Sequence, residues 1–112
     1  MTSFFSVIDY SIEDAETGRK LIREFSKIQK EWVAHYPGYI SASFLVSIDH
    51  KRVLNLVRWK DEASYYNFEN NSNTEARMQA IAEALKKLEG KAVLRMTESP
   101  RYKTAYVYKS ES

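Results

Sequence analysis

The segment from Arg52 to Phe68 carries the side chains with the clearest capacity for chemistry. Asn55 and Trp59 lie four residues apart in its β-prone first half, so a strand places them on one face with Cβ atoms about 13 Å apart. A carboxamide supplies an acceptor and an NH₂ donor, and an indole supplies one N–H donor. Donors aimed at a phenol oxygen lower its pKa and stabilise the developing phenolate. The spacing therefore predicts a pair that brackets a flat ligand of two or three rings.

A third candidate stands just beyond this strand, where a helix is predicted. Tyr65 can donate a proton to a reduced-oxygen intermediate or orient a substrate. We therefore predict Asn55, Trp59 and Tyr65 as a catalytic group that binds and ionises a phenol and excludes water. Tyr65 and Tyr66 are adjacent, so only one points inward, and helical phase alone leaves that choice open. Taken one at a time, these residues also have structural explanations. Trp59 can be a core or dimer contact, and Asn55 can hydrogen-bond a neighbouring backbone group.

The first part of the chain predicts a strand and then a long helix. Residues Ser3–Ile12 alternate and are β-rich, as in a strand. The helix begins at Asp14 and ends at His35–Gly38, because Pro disfavours the helical conformation of the residue before it and Gly restarts the chain. Apolar residues at helical spacing predict its buried face: Leu21, Phe25, Ile28 and Trp32.

A hairpin and two helices follow. Strands at Tyr39–Ile48 and Lys51–Trp59 are joined by a tight turn at Asp49–His50. A short helix opens at Lys60, with acidic residues in its first turn, and runs to Glu69. After an Asn-rich break, a longer helix spans Thr74–Leu88. Its buried face is predicted from Met78, Ile81, Leu85 and Leu88.

Two terminal strands complete the predicted fold. Residues 91–99 read as a fourth strand and residues 101–109 as a fifth. The order is therefore βαββαβ with an extra C-terminal strand, which predicts a ferredoxin-like α+β fold for the single domain 1–112, an antiparallel sheet with both helical regions on one face. Since Leu54 and Leu56 lie on the other face, we predict a homodimer with sheet packed on sheet, and a monomer with a wetted face is the alternative.

Composition excludes several classes of protein. The chain has 112 residues and a net charge of +2, and no basic run is dense enough for nucleic-acid binding. We expect a cytoplasmic protein, because the sequence shows neither an apolar run long enough to span a membrane nor the basic start of a signal peptide. Without Cys there is no thiolate site, and the two His lack metal-ligand spacing, so we expect no metal.

The segment Pro37–Phe68 resembles the antibiotic biosynthesis monooxygenase domain of the dimeric α/β-barrel superfamily. The features are a helix-ending Pro-Gly, a Ser/Ala-rich strand, an Asp-containing hairpin turn, an Asn on the next strand, and Trp-x-(Ser/Asp)-Glu-x-(Ala/Ser) at the helix start. The resemblance implies a dimeric α/β barrel of ferredoxin-like protomers. It also implies cofactor-free oxidation of an aromatic polyketide-type phenol to a quinone with molecular oxygen. In the family an Asn, a Trp and a Tyr line the pocket, and they match Asn55, Trp59 and Tyr65.

The resemblance and the packing together suggest further substrate-binding residues. The family has a pocket Arg on its second helix; Arg77 is the nearest candidate, and the Asn-rich break leaves its register open. Arg95 pairs with an anionic substrate if it faces inward, and is a solvated charge if it faces outward. How four large aromatic side chains pack decides whether the pocket is open: Phe25, Trp32, Phe44 and Phe68.

Two other functions fit the same fold. The first is a non-catalytic dimer that binds a small ligand and keeps the fold without the chemistry. The second, which is disfavoured, is the haem-degrading branch of the superfamily. Phe68 and Met78 stand where that branch has a Trp and its iron-ligand His, and Met alone is a soft ligand for that reaction.

Overall fold

The computed structural model describes residues 3–95 and 100–110 of the chain. Strands and helices alternate in the predicted order, including the break between two helices. No helix within these ranges is long and apolar enough to cross a membrane. The elements are β1 (Phe4–Ile12), α1 (Ala15–Ile28), β2 (Tyr39–Val46), β3 (Arg52–Trp59), α2 (Glu62–Asn71), α3 (Thr74–Lys86), β4 (Ala92–Leu94) and β5 (Arg101–Lys103).

The sheet is antiparallel, with strand order β2-β3-β1-β4, and β5 also pairs with β1. Strand β1 is central and pairs with β3 along its length, so that Phe4 lies opposite Trp59 and Ile8 opposite Asn55. The helices cover the face that carries these four side chains, since the buried clusters combine them or their strand neighbours with residues of α1, α2 and α3. The predicted ferredoxin-like α+β fold is confirmed.

Strands β4 and β5 share one position at the edge of the sheet. The first pairs with the end of β1, where Tyr10 lies opposite Leu94, and the second with its beginning, where Ser6 lies opposite Arg101. Within the described residues the fourth strand covers Ala92–Leu94 and the fifth covers Arg101–Lys103. Of the predicted fourth strand, residues 96–99 lie outside the described residues, and the predicted fifth strand is wrong beyond Lys103, because residues 104–110 add only one ladder bond, from Thr104.

Each helix begins at a side chain that accepts a hydrogen bond from a backbone N–H of the first turn. Asp14 accepts from Thr17 at 2.8 Å, at the predicted start of α1. Asp61 caps α2 in the same way, and Asn73 caps α3 by accepting from Ala76 at 3.0 Å. The Asn-rich segment thus both ends one helix and starts the next.

Helix α3 faces the sheet with a different set of residues from the predicted one. Arg77, Ala84 and Leu88 are buried, whereas Met78 is 52% exposed and the prediction for it was wrong. Of the predicted stripe, Leu88 is buried and Ile81 and Leu85 pack against the core, so only the first part of the helix is rotated, by one position, from Met78 toward Arg77. This rotation brings Arg77 to the inside of the protein.

Candidate active site

A cavity of about 410 Å³ lies between the helix-facing side of the sheet and the helices. It forms where two buried clusters meet. Tyr10, Phe25 and Ile28 of the first cluster form one part of its wall. Val33 and Val57 of the second cluster form another part. The remaining lining residues are Ser6, Ile8, Gln29, Asn55, Trp59, Tyr65, Phe68, Glu69, Thr74, Arg77, Met78, Ile81, Leu94 and Arg101.

Asn55 and Trp59 are deeply buried polar groups of the cavity, with 0% and 1% exposure. Both project from β3 toward the helices, because residues four apart on a strand share a face. Asn55 Nδ2, Asn55 Oδ1 and Trp59 Nε1 have no hydrogen-bond partner within the described ranges. An unsatisfied buried donor or acceptor costs about 1–3 kcal/mol. These three atoms are therefore available to a bound ligand.

Three aromatic rings fix the orientation of the Trp59 indole. Tyr39 meets it edge-on, with ring centroids 5.5 Å apart and an interplanar angle of 88°. Tyr65 lies at 6.1 Å and Phe68 at 5.2 Å from the same ring. Contacts of this kind each add about 0.5–1.5 kcal/mol beyond burial, so they hold the indole N–H in one direction.

Tyr65, and not Tyr66, is the tyrosine that faces the cavity. Its side chain is buried beside Phe4, at 5.1 Å between ring centroids, whereas Tyr66 is 41% exposed. Burial, and then the neighbouring carboxylate of Glu69, raises the pKa of Tyr65 to about 12. The Tyr65 hydroxyl therefore stays protonated at neutral pH.

Arg77 reaches the cavity from the first turn of α3. Its guanidinium lies 4.3 Å from the centroid of the Phe68 ring, and Nη1 donates to Ser72 Oγ at 2.9 Å. Nη2 is 3.8 Å from Glu69 Oε1, which forms an ion pair across the break between the two helices. A second cation, Arg101 of β5, lies 5.9 Å from the ring centroid of Tyr65. One wall of an otherwise apolar cavity is thus charged.

A π-helical segment, Gln29–Val33, continues α1 and supplies both of its end residues to the cavity wall. The widened turn is closed by a bond from Ala34 N to Gln29 O at 2.8 Å. The Gln29 side chain accepts a hydrogen bond from the Tyr39 hydroxyl at 3.3 Å. Such π-helical turns occur often at functional sites. The amide of Gln29 is therefore held in place by the same Tyr39 ring that contacts the indole.

The structure brings five of the eight predicted site residues to the cavity, and Trp32, Phe44 and Arg95 do not line it. Trp32 and Phe44 are half-buried and pack against the core clusters. Arg95 lies on the opposite face of the sheet, where Nε is 3.5 Å from Asp9 and Nη1 donates to Ser11 at 3.0 Å. Of the two orientations left open by the sequence, Arg95 therefore adopts the outward-facing one.

Several cavity residues were not singled out in the sequence. Tyr10 and Ser6 share the inward face of β1, and Glu69 lies one helical turn after Tyr65. The strand and helix periods in the sequence could therefore have placed these three residues at the cavity. Gln29 and Arg101 carried no such signal, because the first depends on the π-helical turn and the second on the pairing of β5 with β1.

The described residues contain no group of three or more His, Cys, Asp or Glu side chains that could hold a metal ion. At the positions compared above with the haem-degrading branch, Phe68 is buried against Trp59, and Met78 lies half-exposed at the cavity wall. This part of the chain thus offers a ligand an apolar cavity with a few directed polar groups, which is typical of small-molecule sites.

Comparison with known proteins points in the same direction. No family model matches the chain. The tetracenomycin-F1 monooxygenase of Streptomyces glaucescens is 32% identical to this chain over 50 residues. The match covers 45% of this chain and 45% of that protein, so it spans less than half of the relative's length. A Streptomyces coelicolor monooxygenase from the gene ActVA-Orf6, solved with nanaomycin D, is 23% identical with a TM-score of 0.67 over 97% of this chain and 94% of its own. The resemblance to the antibiotic biosynthesis monooxygenase family is confirmed.

Two further solved structures match this chain over nearly its whole length. SnoaB, a cofactor-independent oxygenase of Streptomyces nogalater, is 12% identical with a TM-score of 0.63, and the match covers 100% of both chains. A dimeric ferredoxin-like protein from an uncultured marine organism is 16% identical with a TM-score of 0.58, covering 96% of this chain and 100% of that one. At these identities the solved structures establish a shared fold.

Proposed function

We propose that the chain is a cofactor-independent monooxygenase that oxidises an aromatic or polycyclic phenol to a quinone with molecular oxygen. One observation carries the proposal: Asn55 and Trp59, which line a cavity of about 410 Å³, carry three buried polar atoms that have no hydrogen-bond partner in the described part of the chain. That volume falls in the range of about 300–1,000 Å³ usual for small-molecule sites. The activities named for tetracenomycin-F1 monooxygenase and SnoaB support the same reaction class.

The first task of the site is to ionise the phenol. The Asn55 Nδ2–H and Trp59 Nε1–H groups donate to the phenol oxygen and stabilise it as a phenolate. Neither donor has a hydrogen-bond partner among the described residues, so binding the phenolate breaks no existing protein hydrogen bond. In a water-poor cavity such hydrogen bonds are stronger than in water. Tyr65 contacts the substrate beside them, and Arg77 supplies positive charge at the wall.

The ionised ring then reacts with oxygen directly. Electron transfer from the phenolate to O₂ and recombination form a C–O bond, and protonation gives a ring hydroperoxide. The C–H proton leaves as the O–O bond breaks, so one oxygen atom becomes the quinone carbonyl and the other leaves as water. The phenol supplies all four electrons, and the balance needs no external reductant. The protein's contribution is to position, to ionise and to exclude water.

We also propose that the protein acts as a cytoplasmic homodimer. The sheet face without helices carries apolar side chains beside the ion pairs of Asp9 with Arg52 and Arg95. Leu45, Val93 and Tyr102 on this face are 50%, 57% and 57% exposed. An apolar area of this extent marks an interaction surface, and a second copy covers it with the same face. The named dimeric ferredoxin-like neighbour supports this arrangement. The apolar residues on this face of the sheet are Phe5, Val7, Leu45, Leu54, Leu56, Val93 and Tyr102.

The proposal is tested by oxygen uptake and quinone formation with a panel of dihydroxyanthracene-type and naphthol-type phenols. The wild type is expected to consume oxygen and to form quinone, and Asn55→Ala to lose about 10²–10³-fold in kcat, as for the removal of one directed donor. Asn70→Ala removes the same group from the exposed surface of α2 and serves as the matched control. No oxygen uptake across the panel contradicts the proposal. Tight binding of an unchanged phenol then indicates the ligand-binding dimer, and a Soret shift on haem addition indicates the haem branch.

A further inference from the structure

The end of helix α1 gives the cavity a polar group that the proposed reaction does not use. Regular helical spacing would continue the inward face of α1 from Ile28 to Trp32. The wider π-helical turn Gln29–Val33 moves the inward position to Val33, which is buried and lines the cavity, whereas Trp32 does not line it. Gln29, at the start of the same turn, also lines the cavity. A carboxamide therefore stands on the helix side of the cavity.

One hydrogen bond orients the Gln29 amide. Its Oε1 accepts from the Tyr39 hydroxyl at 3.3 Å, and burial raises the pKa of Tyr39, so this hydroxyl keeps its hydrogen at neutral pH. The amide oxygen and nitrogen diverge from one carbon, so Nε2 is turned away from the Tyr39 hydroxyl. The NH₂ group carries two hydrogens, and neither is donated to another residue in the described part of the chain. Nε2 is therefore a donor that a ligand in the cavity can use.

Tyr39 connects this amide to the indole on the sheet side of the cavity. Its ring meets Trp59 edge-on, with ring centroids 5.5 Å apart, while its hydroxyl holds Gln29. One side chain thus couples the positions of two donors, Trp59 Nε1 on the sheet and Gln29 Nε2 on the helix. A rigid polycyclic phenol whose reacting oxygen lies at Asn55 and Trp59 can use the Gln29 donor only if a second oxygen stands on its α1 side.

We propose that Gln29 determines specificity by donating a hydrogen bond from Nε2 to a second oxygen of the substrate. Tyr39 is a positioning residue that acts through the Gln29 amide. The inference rests on the proposed function and narrows its substrate class to polycyclic phenols that carry an ether, carbonyl or hydroxyl oxygen away from the reacting phenol. The rival explanation is that Gln29 only anchors Tyr39, and through it the indole, in which case its loss weakens the binding of every ligand by the same factor.

Ligand pairs that differ by one hydrogen-bond acceptor separate these two explanations. A hydroxyanthracene with a methoxy group on its far terminal ring is compared with the ethyl analogue, which has a similar shape and no second oxygen, for each positional isomer. Dissociation constants are measured by titration calorimetry in the absence of oxygen. For at least one isomer the wild type is expected to bind the methoxy compound about 10-fold more tightly than the ethyl compound, as for one additional hydrogen bond.

Two replacements of Gln29 distinguish a donor from an anchor. Gln29→Glu keeps an oxygen that accepts from the Tyr39 hydroxyl and removes the NH₂ group, whereas Gln29→Met removes both. Each is expected to reduce the preference for the methoxy compound to within about twofold. Tyr39→Phe keeps the ring on the indole but frees the amide, and should reduce the preference to about threefold or less. Gln79→Met, on the exposed side of α3, is the matched control and should keep the wild-type preference.

The outcomes for Gln29 and for the proposed reaction are read separately. If the wild type prefers the methoxy compound at no position, or if the preference survives in Gln29→Glu, the inference is overturned. A full preference in Tyr39→Phe overturns the positioning role of Tyr39. Oxygen uptake is then measured with the same pairs of ligands. The expected preference in binding without any oxygen uptake contradicts the monooxygenase reaction and leaves Gln29 as the residue that recognises the second oxygen.

Discussion

Replacing Asn55 by Leu should stabilise the free protein and abolish its activity. Asn55 is 0% exposed, and both polar atoms of its carboxamide are without a partner in the described part of the chain. An unsatisfied buried group costs about 1–3 kcal/mol, and an apolar replacement removes that cost. Leu has the same branched shape and the same number of non-hydrogen atoms as Asn, so it fits the same place at the cavity wall with little rearrangement.

The expected size of the effect follows from these terms. Removing at least one unsatisfied group should raise the free energy of unfolding by about 1–3 kcal/mol. For a domain of this size each kcal/mol corresponds to a rise in Tm of about 4–8 °C. The same change removes a donor from the cavity wall, so oxygen uptake should fall to background and phenol binding should weaken.

Urea unfolding of wild type and variant measures the stability term, with the midpoint rising at constant m-value. Asn70→Leu on the exposed surface is the control and should change stability by no more than about 0.5 kcal/mol. If Asn55→Leu instead destabilises the protein by 1 kcal/mol or more, the carboxamide has a structural partner, and the reasoning that assigns it to a ligand is refuted.

Three further predictions concern the backbone, the pH response and the assembly. Gly38→Ala should unfold at a much lower temperature than Gly90→Ala, because both have positive φ but only a side chain at Gly38 would collide with a serine in the first turn of α2; equal losses would contradict this. Burial raises the pKa of Tyr65 from its ordinary value of 10.0 to about 12, so its contribution to stability is complete below pH 10 and is lost as the pH rises through 12. Tyr65→Phe should therefore show a shallower fall in unfolding free energy over that interval, and an unchanged slope would refute the assignment. Leu54→Lys should convert the proposed dimer to a monomer in light scattering, whereas Ile48→Lys, in the exposed hairpin turn, should leave its mass unchanged.

The strand half of the site could be predicted because strand period is insensitive to small errors in boundaries. Asn55 and Trp59 share a face whether β3 begins at Lys51 or at Arg52. Because both faces of β3 carry apolar residues, the helices and not the strand decide which face is covered. The helical half was harder to place. Tyr65 and Tyr66 differ by 100° around the helix axis, which decides between cavity and solvent, and the rotation of α2 is set by its contact with β3.

Other parts of the site depend on contacts between distant segments. Met78 was expected inside and Arg77 in doubtful register, because hydrophobicity alone was used to assign the inward face, and the contacts that hold Arg77 inside come from Ser72 and Glu69. The face of Arg95 depends on the pairing of β4 with β1, and that of Arg101 on the pairing of β5. Short edge strands carry too few residues for period to determine a register.

The position of the cavity explains why polar groups remain unpaired in a small core. A sheet that is covered on one face by several helical segments leaves a gap where the segments diverge, and here the gap lies between the α1–α3 cluster and the α2 cluster. Apolar side chains that filled the gap would add packing and remove three unsatisfied atoms, so stability alone favours a filled core. A purely structural account must explain Asn55, Trp59 and the open volume separately. A phenol-binding site explains all three at once, because the ligand fills the volume and accepts hydrogen bonds from the same two side chains.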